Sequence, residues 1–535
     1  MDADFPIVII GAGASGLAAA ILLARRGLDV TVVDKLSDLS QSDEESYPIG
    51  VNPRGLRVLE MVDPALRHAI EVAGVIEGWS IRKPDSEIAR LPSGTVVGST
   101  RGRVVAALHA KAVEAAERDG YALALRLSWR LRAVSADART LTFARSGGGG
   151  TPPTAAPSAD DAAGGDGGDE EEWVLDTARS RVIDASGCWS KLRDALAAAD
   201  PSFVVERFPW RVFYRNLYTP AEPTAPTTMA ASAAPLDPKL HYIFTSAGIY
   251  VAVLKERRWV LSLSASADKP EDAYLLSDAA TPDAIARLKA HVAAHAPPAA
   301  AMLDDAEYER YFSRRAFTGQ VVRLSRLHDA ERRIAFMGDA AHAVLPATGE
   351  GVNSALEDVG VLLAALDFGE GDGEGGEGEG EGKGQRARGW FARYDAARRD
   401  DARAISEYAA WLLAGQQADA AEKNRRTANL IVTAILQKTG AIGETWNDKS
   451  FGKFAGRCEP YAQILREWKE QQAWVRPIAN AIVLIPNMLA ARRADERGAA
   501  ATAKTAIAAT PTPSTTTTTA SGAATGTAPG VGVGK

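Results

Sequence analysis

The chain has 535 residues, 46% of them apolar and 24% charged, with a formal net charge of −7 and two cysteines, Cys188 and Cys458. It is long enough for more than one core, and its composition is that of a soluble globular protein. The acid excess argues against a nucleic-acid partner, and two cysteines give neither a disulfide framework nor a metal-ligand spacing.

Met-Asp-Ala-Asp leads directly into an apolar strand with no signal-like segment, so nothing directs export. The longest membrane-span candidate, Ile478–Ala491, is short and carries Asn480, Pro486 and Asn487. It reads as a core or interfacial helix. A cytoplasmic protein with no integral membrane span and no bound metal is expected.

Pro6–Ile10 reads as a strand, Gly11-Ala-Gly13-Ala14-Ser15-Gly16 as a turn and Leu17–Arg26 as a helix closed by Gly27. Asp29–Val33 reads as a second strand, ending at Asp34, 18 residues past Gly16. Strand, glycine turn, helix and acid at this spacing form a dinucleotide-binding start. Gly11 makes the tight turn, Gly13 admits a pyrophosphate and Gly16 lets helix and strand pack closely. Asp34 accepts hydrogen bonds from a ribose diol and repels a 2′-phosphate, so the ligand is FAD or NAD rather than NADP.

A surface loop is expected over Leu36–Ser46, then a helix over Asn52–Met61 whose Arg54 and Arg57 read as solvated charges or phosphate contacts. Strands follow at Val75–Arg82 and Thr95–Ser99, then a helix over Arg103–Arg118. Arg103, at its start, is equally a cofactor contact or a solvated charge. Further strands are expected at Leu123–Val134, Leu141–Ala144, Trp173–Asp176 and Arg181–Asp184. Between them the Gly/Asp/Ala/Pro-rich run Ser146–Glu172 reads as a disordered insert at a hairpin tip. Asp184-Ala-Ser-Gly-Cys-Trp-Ser-Lys-Leu-Arg193 is a strand end, a turn and a helix start, with Arg193 directed to phosphate or solvent.

Phe203–Leu217, His241–Leu254 and Arg258–Ala265 form a new sheet, and Pro282–His295 a helix. In Ile334–Leu366 a buried strand feeds Gly338-Asp339, a loop with Pro346, and glycines Gly349 and Gly351. Val352, Ala355, Leu356, Val359, Leu362, Leu363 and Leu366 then recur at helical spacing. The helix N-terminus favours an anionic group, Asp339 suits a ligand hydroxyl, and the two glycines suit a flat ring. Alone, the stretch reads equally well as an ordinary strand–loop–helix unit. Gly369–Gly384 reads as a disordered loop insert, Trp390–Ala414 and much of Asp419–Ala491 as helical, and Ala499–Lys535 as an unstructured tail. No second glycine fingerprint stands in a βαβ setting.

The N-terminal GAGASG with Asp34, the mid-chain DASGCWSKLR and the later GDAAHAVLPATGEGVNSALED, in that order, resemble the single-component FAD-dependent aromatic hydroxylases, over about residues 1–495 outside the inserts. Within that family the chain most resembles the kynurenine 3-monooxygenases. The resemblance implies an α/β, Rossmann-like FAD-binding fold of the p-hydroxybenzoate hydroxylase type, with an inserted antiparallel β-sheet substrate module and C-terminal helices. FAD-binding parts are expected at 1–80, 101–200 (with a disordered insert at 146–172) and 326–368, and substrate-module parts at 81–100 and 201–325. A Gly/Glu insert at 369–388, a helical region at 389–495 and a disordered tail at 496–535 complete the division.

The implied activity is an FAD-dependent monooxygenase that uses NADPH or NADH and O2 to hydroxylate or epoxidise a small aromatic or apolar metabolite through a flavin hydroperoxide. The alternatives are an FAD-dependent reductase or dehydrogenase without oxygen insertion, or a flavin-binding protein without turnover. The resemblance places Gly11, Gly13, Ala14, Ser15, Gly16 and Asp34 on the ADP half of FAD, with Arg103 contacting the cofactor. Gly338 and Asp339 fall at the ribityl chain, Pro346 beside the oxygen-reaction site, and Gly349, Gly351, Val352 and Asn353 along the pyrimidine edge. His342 reads as a structural hydrogen-bonder rather than a base. Ser186-Gly187 stands where the family usually has Asp-Gly, and Glu45 and Gly78/Ser80 stand near positions where the kynurenine enzymes carry Arg.

Overall fold

The computed structural model describes residues 5–40, 46–72, 74–145, 171–220, 236–367, 389–443 and 458–481. Most of the 146–172 insert, the whole 369–388 run (Gly369–Gly384 included), the 496–535 tail and most of the Ile478–Ala491 stretch lie outside the described residues. Glu172 itself opens the strand Glu172–Asp176.

Short β-branched runs build the first sheet. Ile7–Ile10 lies between Val30–Val33 and Arg181–Asp184, parallel to both. Leu123–Arg126 extends one side and Ile334–Phe336 the other, both parallel, and His328–Asp329 closes the edge antiparallel. Runs from four distant parts of the chain thus meet in one sheet, apolar on both faces as a parallel sheet covered by helices should be. The helix Ala14–Ala24 is almost wholly buried, its small residues allowing close approach to the sheet. It packs against Arg101–Glu117 and against Gly351–Asp367, which in turn packs on Pro53–Val62.

The second sheet has seven strands, in the order Val212–Tyr218, Trp259–Ser266, Ile249–Val253, Leu240–Phe244, Val75–Arg82, Glu87–Thr100 and Pro48–Val51. It is antiparallel except where Leu240–Phe244 runs parallel to Val75–Arg82. Alternation decides its two faces. Leu240, Tyr242, Phe244, Ile249, Val251 and Val253 enter a core with Leu288, Val292 and Tyr311 from the helical layer. His241, Tyr250 and Ala252 occupy the opposite face.

Three expectations change. The strand Val75–Arg82, most of it placed in the FAD-binding part by the 1–80 division, belongs to the second sheet, as does Pro48–Val51, where no strand is expected. A boundary at residue 80 therefore cuts through a strand. Leu123–Val134 is two strands: Leu123–Arg126 joins the parallel sheet, and Trp129–Val134 joins a separate three-stranded sheet with Thr140–Arg145 and Glu172–Asp176. The break falls at Ser128, whose φ of 65° is the left-handed turn that ends a strand. Arg54 is also no solvated charge. It is buried, bonds Glu357 at 2.6 Å and the Glu459 carbonyl, and stacks over Tyr461 at 4.1 Å.

Candidate flavin site

The glycine turn has the shape a phosphate needs. Gly11 sits at φ +106°, and a Cβ there would lie 2.5 Å from the Ala185 carbonyl oxygen. A Cβ on Gly16 would collide with the Gly11 carbonyl, so this glycine holds helix to strand. Around Gly13 a Cβ would meet nothing within 4 Å. Gly13 caps the helix Ala14–Ala24 with no side-chain bond and no acid in the first turn, leaving that N-terminus suited to an anion. Ala14 is half-buried and Ser15 buried in the first helical turn. Asp34 ends the second strand half-buried. Its Oδ2 accepts from Ala12 N at 2.7 Å and its Oδ1 from Leu36 N at 2.9 Å. The carboxylate therefore shapes the turn, and each oxygen keeps a further lone pair for a ligand.

Residues more than three hundred positions away come to the same place. Gly338, at φ +58°, lies so close to Ser15 that a Cβ would stand 3.0 Å from Ser15 Oγ. Asp339 follows it. This side chain is solvent-exposed, yet enough protein surrounds it for burial to push its pKa up, against the pull of His342 and Arg101. Exposure inside a dense surround is the signature of a side chain lining a cleft.

Arg193 fixes the floor. It is fully buried rather than directed to phosphate or solvent, bonding the Cys188 carbonyl at 2.9 Å and the Ala340 carbonyl at 3.1 Å. It thereby ties the Asp184–Arg193 turn to the Asp339 turn. Ser186 donates from N and Oγ to Asp184 Oδ1 at 2.9 and 2.6 Å, and Ser190 donates to Oδ2. The Ser186 hydroxyl is thus used within its own turn. Burial pushes the Asp184 carboxyl up despite these donors.

At the other end, Pro346 and Gly349 are exposed and Gly351 and Val352 half-buried. Gly349 adopts the left-handed conformation, φ 67°, that lets the turn close onto the helix Gly351–Asp367. Asn353 is buried, and its amide is committed to backbone. Oδ1 accepts from Asn52 N at 2.9 Å, and Nδ2 donates to Gly50 O and Gly349 O, both at 3.0 Å. Behind the turn, Asp358 accepts from Gly338 N at 2.6 Å, His342 Nε2 at 2.7 Å and Arg398 Nε at 2.7 Å. His342 is 2% exposed and held in that network, matching a structural role. Arg103 is half-buried in the first turn of the helix Arg101–Glu117, which Thr100 caps.

Aromatic side chains border the cleft toward the second sheet. Tyr47 stands near Arg101, Asp339 and Cys188, and although it is 38% exposed the protein around its hydroxyl raises its pKa. Its ring meets Phe317 edge-on at 5.5 Å, and Phe317 pairs through its backbone with Tyr214. Trp210 meets Tyr214 at 6.3 Å and packs in the cluster containing Val344 and Leu345, just before Pro346. Arg54, Arg193, Arg398, Glu350 and Tyr461 carry much of this architecture, and sequence reasoning passed over Arg398, Glu350 and Tyr461 or misplaced the other two. Their signal was composite: a charged residue next to a motif, with its partner up to several hundred residues away.

Among the described residues no group of three or more His, Cys, Asp or Glu could hold a metal ion, and no helix is long and apolar enough to cross a membrane.

Residues 9–68 match the NAD(P)-binding Rossmann-like domain family and residues 275–374 the FAD binding domain family. The chain is similar to the kynurenine 3-monooxygenase of Myxococcus xanthus (strain DK1622), with 26% identity over 379 residues, 68% of this chain and 71% of the relative. It is also similar to the kynurenine 3-monooxygenase of Xanthomonas axonopodis pv. citri (strain 306), with 25% identity over 417 residues, 75% and 77% of the two chains. In fold it is similar to a 2-methyl-3-hydroxypyridine-5-carboxylic acid oxygenase variant (TM-score 0.52, 18% identity, covering 77% of this chain and 92% of that one). PqsL of P. aeruginosa, solved with 2-aminobenzoylacetate, is comparable (TM-score 0.52, 20% identity, 77% and 96%).

Proposed function

We propose that this FAD-dependent monooxygenase of the aromatic-hydroxylase family takes electrons from NADPH or NADH and inserts one atom of O2 into a small aromatic or apolar substrate. One observation carries the reading: Gly338 lies against Ser15, so the fold brings the glycine turn and the Asp339 turn together. The residues fit the cofactor. An uncapped helix end with open space at Gly13 suits a pyrophosphate, and Gly338, the residue before Asp339, lies against Ser15 in the first turn of that helix.

In this reading Gly11, Gly13, Ala14, Ser15 and Gly16 bind the pyrophosphate through backbone, and Asp34 receives the ribose hydroxyls. Arg103 contacts the cofactor, and Gly338 and Asp339 hold the ribityl chain. Gly349, Gly351 and Val352 face the pyrimidine edge and Pro346 borders the oxygen-reaction site. Asn353 acts one step removed, as the brace holding Gly50 and Gly349 together. When bound, FAD supplies the two-electron and oxygen chemistry. The protein's part is to orient it, exclude water and place a positive helix end where negative charge develops. Tyr47, Phe317, Tyr214 and Trp210 give an aromatic substrate flat surfaces to pack on.

The test is purified FAD-loaded protein challenged with a panel of aromatic substrates. Substrate-stimulated NAD(P)H oxidation coupled to O2 uptake is expected. Full anaerobic turnover of a substrate would instead favour the reductase or dehydrogenase reading, which Ser186 in place of the usual acid keeps open.

A further inference from the structure

Four buried or half-buried carboxylates, Glu350, Glu357, Asp358 and Asp401, gather behind the flavin-facing turn, with two guanidiniums, Arg54 and Arg398, among them. Arg54 pairs with Glu357 at 2.6 Å, while Arg398 pairs with Glu357 and Asp358 at 2.7 Å each and reaches Asp401 at 3.6 Å. Glu350 bonds neutral donors. Tyr461 Oη donates to its Oε2 at 2.6 Å, and Asn52 Nδ2 lies 3.2 Å from both oxygens. At 3% exposure it is as buried as a core residue. Its own carbonyl accepts from Ser354 N at 2.8 Å, which makes Glu350 the N-cap of the helix Gly351–Asp367. The carboxyl turns back toward Asn52 and Tyr461, one residue from each of the two glycines of the turn.

We propose that Glu350 is a positioning residue that tunes the flavin cradle by holding or releasing one proton. The inference rests on the flavin reading above. A cluster with more carboxylates than cations retains a proton where ionisation is least compensated, and among the described residues Glu350 has no direct guanidinium partner of the kind that Glu357, Asp358 and Asp401 have. The groups that face it are Arg54 from the helix Pro53–Val62, Glu357 from its own helix, Tyr408 from the helix Trp390–Gln416, and Cys458 and Tyr461 from the C-terminal segment. Burial pushes its carboxyl up from 4.5 to about 7, with Arg54, Tyr461 and Asn52 opposing the rise. Neutral Glu350 leaves the positive end of the helix unopposed. Ionised Glu350 partly cancels it, at the position where a reduced flavin carries negative charge.

Equilibrium reduction of FAD-loaded protein against a reference dye, on both sides of neutral pH, tests this. Glu350→Gln is expected to match the wild type at acid pH. At alkaline pH it should hold a ratio of reduced to oxidised flavin about three- to thirtyfold higher. Tyr461→Phe removes a donor from the carboxylate and should move the wild-type bend to higher pH; if Glu350→Gln does not fold, this shift alone decides. Parallel wild-type and Glu350→Gln curves, or a bend that Tyr461→Phe leaves in place, would overturn the inference alone. Failure of the wild type to bind FAD would overturn the flavin reading and the inference with it.

Discussion

A side chain at Gly13 has open space before it, whereas one at Gly16 runs into the Gly11 carbonyl. The two positions therefore separate ligand from fold. Gly13 is extended, φ −74° and ψ −178°, a conformation valine adopts freely. Gly13→Val is expected to leave the apo-protein's melting temperature close to wild type while abolishing FAD retention through gel filtration. Gly16→Ala should destabilise the apo-protein itself, by about 1–3 kcal/mol or more, because backbone must move to admit the methyl group. Glu350 supplies a titration at the same scale. Its folded pKa is raised, so the folded state binds the proton more tightly than the unfolded chain does. Stability is then expected to fall as pH rises from 4.5 to about 7. Thermal melts across that window should show the slope in wild type and lose it in Glu350→Gln.

At the scale of elements, the helix Gly351–Asp367 joins the most parts. Its Asn353 braces the strand Pro48–Val51 and the Gly349 turn, while its Asp358 holds Gly338, His342 and Arg398. Burial raises the Asp358 carboxyl pKa, but His342 and Arg398 outweigh it and keep the net value below 3.8. The stability it contributes is therefore present above that value and lost as pH falls below it. Asp358→Ala leaves Arg398 paired with Glu357 but takes the acceptor from its Nε, from His342 and from Gly338 N, and is expected to cost about 3–5 kcal/mol, read as a lower denaturation midpoint with weaker FAD binding.

This helix, the glycine turn and the strands around them were legible because each is local: an apolar period, a turn residue, a cap. Leu123–Val134 was not divided because both halves are strand-forming and only the turn at Ser128 separates their sheets. Pro48–Val51 was missed because four residues of strand are held by a long-range pairing with Val97–Thr100. Arg54 and Arg193 look like surface charges in sequence, since their partners Glu459, Tyr461 and Ala340 are distant along the chain.

Across the whole molecule, two sheets divide the work. The parallel sheet and its helices carry the proposed cofactor site, and Tyr47 and Phe317, in edge-on contact, lie next to strands of the second sheet. Phe317→Ala is therefore expected to raise the KM for an aromatic substrate with little change in FAD affinity, checked by steady-state kinetics beside a flavin titration. The alternation of the second sheet directs His241 and Tyr250 to the face opposite the helical core, with Tyr250 Oη 2.5 Å from His241 Nδ1. The sequence located these residues but left the direction of each face open. Oxygen insertion at a flavin held between Gly13 and Pro346 is tested most directly by a turnover of the FAD-loaded enzyme under 18O2 with NAD(P)H and an aromatic substrate. A product carrying one labelled oxygen atom is expected, with the other found in water. A substrate that is oxidised or reduced with no label incorporated, at an undiminished rate without O2, would contradict it.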